Sequence, residues 1–298
     1  MSGKQLFLET RPQFLVLAVV LVLHGTALAA WQGSTDWWLA ALAAIGLVLL
    51  QASVNVLNDW HDWSKTGIDK HTPRTPFSGG SGLLPAGAIT VKSTLMLGIG
   101  TLLAGSAIGV YLASVAGWEL LAIGIIGAVS IVAYTPVFNR IGIGEFMAGF
   151  ALGTLPVAGT YFLLTGSMDA VAWISGIPAG LLTYNLLLLN EFPDAEADAA
   201  GGRKHMVILL GKPKAARLYT AVEIAAYVSI VAGVASGILT PWALLGLLSA
   251  IFGAKAIAGA LADHSDTAKL IPSLGANIVA VLSTNVLLAI GYTIAAVV

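Results

Sequence analysis

Residues 37–69 read WWLAALAAIGLVLLQASVNVLNDWHDWSKTGID, an apolar run that ends in a polar cluster. No charged side chain occurs in residues 37–54, and a membrane-spanning helix needs about 20 such apolar residues. Three aspartates and two asparagines then follow within residues 55–69. A hydrophobic helix that ends in carboxylates and amides predicts a membrane protein with a polar site at one end of a span.

The composition of the whole chain supports a membrane setting. Of 298 residues, 57% are hydrophobic and only 10% are charged, and the mean hydropathy is +0.89. Soluble domains carry about 25% charged residues, so this chain cannot cover itself with polar surface. The absence of cysteine excludes disulfides, thiolate metal sites and cysteine nucleophiles. We expect the lipid bilayer as a partner and no nucleic acid.

Apolar runs of span length recur along the chain and predict an all-α bundle of nine transmembrane helices, a single domain over residues 1–298. The first run is interpreted as a span rather than a cleaved signal peptide. Frequent glycine and alanine predict close helix packing. The nine runs are 12–31, 37–58, 91–113, 117–138, 144–165, 170–190, 215–238, 241–262 and 272–297.

The distribution of charge gives an orientation for these nine spans. All 14 lysines and arginines lie on or near the side that holds the N-terminus and the connections after spans 2, 4, 6 and 8. The other side carries Asp36, Glu119 and Asp169 and no basic residue. The positive-inside rule makes the first side cytoplasmic. The two long polar connections, 59–90 and 191–214, therefore form polar caps on the cytoplasmic face.

Each polar cap contains an acidic cluster with helical spacing. Asn55, Asp59 and Asp62 are at i, i+4 and i+7, and Asp194 and Asp198 are at i and i+4. We expect Pro193 to break the preceding helix. Oxygen-only clusters suit Mg²⁺, which binds carboxylates together with substrate phosphates. The pattern predicts a diphosphate held between two acidic walls by Mg²⁺, whereas a solvated loop is the simpler alternative.

Basic and polar residues elsewhere admit more than one interpretation. Lys65, Lys70, Arg74, Arg203 and Lys204 follow the acidic clusters and can neutralise phosphate oxygens. His24 is interpreted as a buried hydrogen-bonded residue. Asn185 and Asn190 are interpreted as helix–helix hydrogen-bonding residues, and Asn190 could alternatively reach the metal site. Two further interpretations stay open: Glu223 and Lys255 form a pair or snorkel, and Glu145 stabilises a helix start or lies near an acceptor.

Four stretches resemble the motifs of the UbiA-type intramembrane prenyltransferases, in the family's order. They are NVLNDWHDWSKTGID (55–69), PRTPFSGGSGLLP (73–85), AYTPVFNRIGIGE (133–145) and DAEADAAGGRKHMVILLG (194–211). The first and last resemble the two Asp-rich motifs. The resemblance covers essentially the whole chain, and the family's nine-helix fold agrees with the span count.

The resemblance implies Mg²⁺-dependent transfer of a prenyl chain from an isoprenyl diphosphate to an acceptor, usually aromatic. It implies that Asp59, Asp62, Asp194 and Asp198 are catalytic and that, together with Asn55, they bind the metal. Residues implied to bind substrate are Asn55, Lys65, Asp69, Arg74, Tyr134, Arg140, Arg203 and Lys204. Tyr134 is expected beside the allylic carbon.

The spacing of the first motif resembles the menaquinone branch, which prenylates 1,4-dihydroxy-2-naphthoate. The second motif departs from that branch, because it reads GRKHM where Gly-Lys-x-Thr is frequent, and NEFPD precedes it. Other acceptors therefore remain open: hydroxybenzoate, another quinone or phenazine precursor, or a glycerol phosphate ether lipid.

Two alternative functions outside this family also remain open. A cation or metabolite transporter would place its acids near the bilayer midplane, often within inverted repeats. Here the acids cluster at one face and no inverted repeat is visible. An alcohol phosphotransferase would carry a different Asp motif that contains arginine, which this chain does not show.

Overall fold

The computed structural model describes residues 2–298, and within them nine helices are long and apolar enough to cross a membrane. No β-strand occurs in these residues, so the predicted all-α fold is confirmed. Short helices at Gly3–Glu9 and Met206–Leu210 lie outside the nine. The nine are α1 Pro12–Trp31, α2 Trp37–Thr66, α3 Val91–Ala116, α4 Trp118–Ile141, α5 Gly144–Thr165, α6 Ala170–Ala200, α7 Lys212–Ala235, α8 Pro241–Asp263 and α9 Thr267–Val297.

The expectation that Pro193 breaks its helix is wrong. Helix α6 continues through Pro178 and Pro193 and ends only at Ala200, before Gly201. Proline removes one backbone donor, but membrane bundles tolerate it inside helices because neighbouring groups satisfy the freed carbonyl. The consequence is that Asp194 and Asp198 lie on a rigid helix, one turn apart, instead of on a loop.

Helix α9 also begins earlier than the hydropathy predicts. The side chain of Asp266 accepts hydrogen bonds from the backbone amides of Ala268 and Lys269, at 3.1 and 3.2 Å, and caps a helix that starts at Thr267. Polar caps of this kind extend a helix beyond its apolar stretch, so apolar runs underestimate helix length.

Small residues bring α2 and α3 together. A Cβ atom added to Gly105 would lie 2.8 Å from the Cγ atom of Leu50 and 3.0 Å from the carbonyl oxygen of Gly46. The hydroxyl of Ser53 donates to the carbonyl of Gly98 on the facing helix at 2.9 Å. Close backbone approach through glycine is the usual way in which helices associate in lipid, and the predicted glycine packing is confirmed here.

Two buried clusters fix the centre of the bundle, where α9 packs against α1, α6 and α8. One cluster joins α1, α5, α6 and α9 and includes Leu28, Val157, Leu182 and Leu288. The second lies next to the acidic end of α6 and includes Phe192, which is fully buried. The polar end of α6 is therefore held in place by the packed side chains of the second cluster.

Three helices contain a π-helical turn, at Asp62–Thr66 in α2, Tyr134–Phe138 in α4 and Phe150–Thr154 in α5. Such turns are rare in proteins overall, and those that occur are often located at functional sites. The first contains one of the predicted catalytic aspartates and the second begins with Tyr134. Both turns lie at the same end of the bundle, which indicates that a functional site is located at that end.

The buried polar residues within the spans follow the sequence interpretation in most cases. His24 is fully buried and hydrogen-bonded. Asn185 bridges helices, because its amide donates to Glu223 at 2.8 Å and to the carbonyl of Tyr219 at 3.0 Å. No ion pair joins Glu223 to Lys255 in residues 2–298; Lys255 is exposed and Glu223 is buried against Asn185.

Candidate active site

The two acidic clusters meet at one end of the bundle. Arg203, which follows α6, donates through Nη1 to Asp198 Oδ1 at 2.8 Å and through Nη2 to Asp62 on α2. The next residue, Lys204, donates its backbone amide to the carbonyl of Asn139 at 2.7 Å. The ends of α2, α4 and α6 therefore lie close together. This agrees with the prediction that the two polar connections are on the same side of the membrane.

A polar cavity of about 110 Å³ lies between these helix ends. Two of its carboxylate oxygens, Asp62 Oδ1 and Asp194 Oδ1, are buried and have no hydrogen-bond partner in residues 2–298, and neither does Asn190 Oδ1. The charged and amide side chains that line it are Arg11, Asn58, Asp62, Asp69, Asn139, Asn190, Glu191, Asp194, Asp198 and Arg203, and Thr72, Ser78 and Tyr134 add hydroxyl groups. Buried oxygens without donors favour an added cation.

The other two predicted metal ligands lie beside this cavity. Asp59 is 2% exposed, and its Oδ2 accepts a 2.7 Å hydrogen bond from the backbone amide of Ser81. The loop approaches so closely that a Cβ atom on Gly80, which has a φ of 73°, would lie 3.2 Å from Asp59 Oδ1. Asn55 donates its side-chain amide to the carbonyl of Thr10 at 3.0 Å and lines the adjacent apolar cavity.

Most of the predicted phosphate-binding bases point elsewhere. Arg74 donates Nε to the carbonyl of Gly79 at 3.2 Å and braces its own loop. Lys65 lies over the ring of Trp60, with 5.3 Å from its ammonium to the ring centroid. Arg140 and Lys204 are exposed. None of these four lines the polar cavity, whereas Arg203 does; their substrate-binding roles remain predictions.

Sequence reasoning missed Arg11, which enters the site from the start of α1. Its guanidinium lies 3.8 Å from Asp59 Oδ1 and 4.9 Å from the centroid of the Phe14 ring. Arg11 has a φ of 56°, a left-handed conformation that is unfavourable for an arginine. The available signal was an Arg-Pro pair at the start of an apolar span, which fixes the basic side chain at a helix end.

Sequence reasoning also missed Glu9, which is connected to Asp59 through Ser81. Its Oε2 accepts a 2.6 Å hydrogen bond from the hydroxyl of Ser81, whose backbone amide binds Asp59. Burial, followed by the nearby negative charge of Asp59, raises the pKa of Glu9 to about 7. Glu9, Ser81 and Asp59 form one connected group at the edge of the site.

Two titratable groups of the polar cavity have shifted pKa values that reflect a crowded set of acids. Burial, and then the negative charges of Asp59 and Asp62, raise the pKa of Asp69 to about 8. Burial alone would lower the pKa of Arg203, but the carboxylates of Asp62 and Asp198 outweigh it and raise this pKa above its ordinary value. Excess negative charge here favours cationic ligands.

An apolar cavity of about 160 Å³ adjoins the polar one. The two share Arg11, Asn58, Tyr134, Leu187 and Asn190 in their walls. The apolar cavity extends between α1, α2, α5, α6 and α9, past residues such as Leu17 and Leu282. The combination suits a ligand with an anionic head and a hydrocarbon tail, with Tyr134 at the junction.

Sequence comparison gives a family match over nearly the whole chain. The profile of the UbiA prenyltransferase family matches residues 17–294. The chain is 31% identical over 301 residues to a 1,4-dihydroxy-2-naphthoate octaprenyltransferase of Escherichia coli, with 97% of this chain and 96% of the relative covered. A Bacillus subtilis protein of the same description is 29% identical, with 86% and 82% covered. A 4-hydroxybenzoate octaprenyltransferase of Methylococcus capsulatus is 28% identical, with 66% and 64% covered.

Solved structures with this fold include two UbiA homologues of archaea. The apo structure from Aeropyrum pernix has a TM-score of 0.72 and 21% identity, with 95% of this chain and 98% of that chain covered. A homologue from Archaeoglobus fulgidus bound to GPP and Mg²⁺ has a TM-score of 0.59 and 14% identity, with 95% and 99% covered. At these identities the comparison establishes the fold.

Proposed function

The chain belongs to the UbiA prenyltransferase family, and from this premise we propose that it transfers a prenyl chain from an isoprenyl diphosphate to 1,4-dihydroxy-2-naphthoate. Family membership and its nine apolar helices make it an integral multi-pass membrane enzyme, a prenyltransferase. The transporter alternative is therefore wrong.

The observation that carries the proposal is the joined pair of cavities. A prenyl diphosphate has a charged head and a long apolar tail, and the polar and apolar cavities meet at Arg11, Tyr134 and Asn190. Arg11 and Arg203 lie in the polar wall and can bind phosphate oxygens, since guanidinium groups match phosphate geometry. The apolar cavity then receives the first isoprene units.

The residues of the polar cavity fit Mg²⁺ by donor type. Asp62, Asp194 and Asp198 supply carboxylate oxygens, and two of these oxygens have no donor among the described residues. Asn55 and Asp59 stand beside them. When bound, Mg²⁺ supplies positive charge that neutralises the diphosphate and makes it a better leaving group. The homologue from Archaeoglobus fulgidus is bound to GPP and Mg²⁺, which supports this assignment.

The protein's own residues then have three tasks in the reaction. Arg11 and Arg203 orient the diphosphate and neutralise charge that grows on it as the bond to the allylic carbon breaks. Tyr134, at the junction, presents its ring to the allylic carbon, where positive charge develops. The apolar walls exclude water, which would otherwise capture the prenyl group before the electron-rich ring of the acceptor attacks.

The acceptor assignment rests on the relatives. The Escherichia coli and Bacillus subtilis proteins, both described as 1,4-dihydroxy-2-naphthoate octaprenyltransferases, match over most of this chain. The hydroxybenzoate relative matches over a smaller share. A naphthoate acceptor and participation in menaquinone biosynthesis follow as the proposal, and hydroxybenzoate, a phenazine precursor and glycerol phosphate ether lipids are the competing acceptors.

The deciding experiment offers the purified enzyme one labelled prenyl diphosphate, Mg²⁺ and a panel of acceptors in parallel. We expect a prenylated naphthoquinol product and release of pyrophosphate, both dependent on Mg²⁺. A product formed only with hydroxybenzoate or a glycerol phosphate ether would overturn the naphthoate assignment and leave the prenyl transfer in place. Product mass also reports whether the carboxyl group is lost.

We also propose that the N-terminus and the site face the cytoplasm. The chain has no cysteine, so single-cysteine variants report accessibility without background. Lys70→Cys, in the exposed polar connection, should react with a membrane-impermeant maleimide only after cells are permeabilised. Ser167→Cys, at the opposite end, should react in intact cells. The reverse pattern would contradict the orientation.

A further inference from the structure

At the edge of the polar cavity, which Glu191 lines, three titratable side chains from different segments come together. Glu145 lies in the first turn of α5, Glu191 on α6, and His205 in the connection after α6. One ligand atom from each residue lies within 4.8 Å of the other two. The exposed fractions are 0%, 6% and 1%, so water does not solvate them.

These side chains have unused hydrogen-bonding atoms. Glu145 Oε1 accepts a hydrogen bond from the backbone amide of Met206 at 2.5 Å, but Glu145 Oε2 has no partner within residues 2–298. The same is true of Glu191 Oε2 and of both ring nitrogens of His205. A buried polar atom without a partner costs about 1–3 kcal/mol, and more when it is charged. Nε2 lies close to Asp198, so the other three atoms, Oε2 of Glu145, Oε2 of Glu191 and Nδ1 of His205, need a common explanation.

The orientation of the His205 imidazole suggests a bound metal ion as that explanation. His205 Nε2 lies 3.3 Å from Asp198 Oδ2, and Nδ1 lies 3.5 Å from Glu191 Oε2. If Nε2 carries the proton and faces Asp198, the lone pair of Nδ1 is directed to the two glutamates. Histidine that binds a metal commonly directs its other N–H at a carboxylate in this way.

We propose that Glu145, Glu191 and His205 bind a divalent first-row transition-metal ion of the Zn²⁺ class, at a site that adjoins the Asp-rich clusters but has its own ligands. One imidazole and two carboxylates suit zinc, manganese or iron, whereas the oxygen-only Asp clusters suit magnesium. The ion neutralises two glutamates that no lysine or arginine in residues 2–298 approaches within 4 Å. Through His205 it fixes the carboxylate of Asp198.

Zinc content in excess Mg²⁺ tests this site independently of prenyl transfer. Mg²⁺ saturates the Asp clusters, and bound Zn²⁺ is measured by mass spectrometry after gel filtration. The wild type should retain about one Zn²⁺ per chain. Glu191→Gln and His205→Asn should weaken zinc binding at least about 100-fold, because even outer-shell changes cost about 10–100-fold. Glu145→Gln should do the same while its amide oxygen still accepts from Met206.

Two further variants make the outcome unambiguous. Asp59→Asn should retain zinc although it removes a residue assigned to the transfer reaction, so failure of the proposed function and failure of this site are distinguishable. Glu196→Gln, on the exposed face of α6, should also retain zinc. Two outcomes overturn the proposal: no stoichiometric zinc in the wild type, as when the two carboxyl groups share a proton instead, or equal zinc in Glu191→Gln, His205→Asn and wild type.

Discussion

Two buried polar networks lie at opposite ends of α6 and differ in how completely their atoms are hydrogen-bonded. In the network around His24, Nδ1 lies 2.9 Å from Asn285 and Nε2 lies 2.8 Å from Ser175, whose hydroxyl is 2.8 Å from that of Tyr292. At the other end, Asp59, Asp62, Asp194 and Arg203 each retain a buried atom that has no hydrogen-bond partner among residues 2–298.

This difference agrees with a structural role for one network and with the proposed ligand-binding role for the other. The His24 network is satisfied within the protein and joins α1, α6 and α9, so it fixes helix positions. The acidic end is incomplete in hydrogen bonding, as expected if the proposed cation and anionic substrate bind there. Substitutions at the acidic end should therefore reduce activity with little loss of stability, and substitutions in the His24 network should do the opposite.

The largest expected effect is at Asp194. Asp194→Asn removes a charge that faces the polar cavity and should lower prenyl transfer about 10²–10³-fold, comparable to the loss of one preorganised electrostatic group. The melting temperature should stay constant or rise, since one of several crowded carboxylates is gone. Glu196→Gln, two residues along the same helix and exposed, is the matched control and should be unchanged in both. A folded Asp194→Asn enzyme with a normal rate would remove the basis of the site assignment.

The second-largest effect is expected in the His24 network and concerns stability. His24→Ala removes one hydrogen bond from Asn285 and one from Ser175, and it removes a ring stacked on Tyr292 at 5.7 Å. The free energy of unfolding, measured in detergent, should fall by about 2–4 kcal/mol. The rate per folded molecule should be preserved. Thr293→Ala, an exposed neighbour of Tyr292, is the control. A loss of rate with unchanged stability would contradict the division between the networks.

A smaller effect is expected at Arg203, which connects the two acidic walls. Arg203→Lys keeps the charge but cannot hold Asp62 and Asp198 with one planar group, and it should raise the KM for the prenyl diphosphate about tenfold. Lys204→Gln provides the comparison, because Lys204 is exposed and contacts Asn139 only through its backbone. Equal effects of the two variants would show that Arg203 has no special role in binding the substrate.

Sequence reasoning reached the fold because each span carries its own signal, and the charge asymmetry checked the count. It reached Asp62 because helical spacing places this residue on one face of α2 with Asn55 and Asp59. It reached Asp194 and Asp198 because the same spacing places them on one face of α6. It did not reach Arg11 or Glu9, since their proximity to Asp59 depends on how α1 and the loop at Ser81 pack. It also named Arg140 as a substrate ligand from its place in the 133–145 motif; this side chain is exposed and lines neither cavity, and its role stays a prediction.

The smallest effect concerns Glu9, which shares features of both networks. One of its oxygens accepts a hydrogen bond from Ser81, and the other has no partner within residues 2–298. Its pKa is raised from 4.5 to about 7 by burial and then by Asp59. Between these values the folded protein holds a proton that the unfolded chain has released, so raising the pH through this window lowers the stability of the wild type.

Glu9→Gln removes that proton uptake and keeps an oxygen that can accept from Ser81. The variant should match the wild type at about pH 4.5 and become more stable than it up to about pH 7, by roughly 1 kcal/mol after allowance for solvent screening. Thermal unfolding at several pH values without added metal measures the difference, and Glu196→Gln should show no such trend. A difference that grows towards low pH would mean that Glu9 is ionised in the folded protein. The nearby cation of Arg11 would then dominate over burial, and Glu9 would belong with the satisfied structural groups.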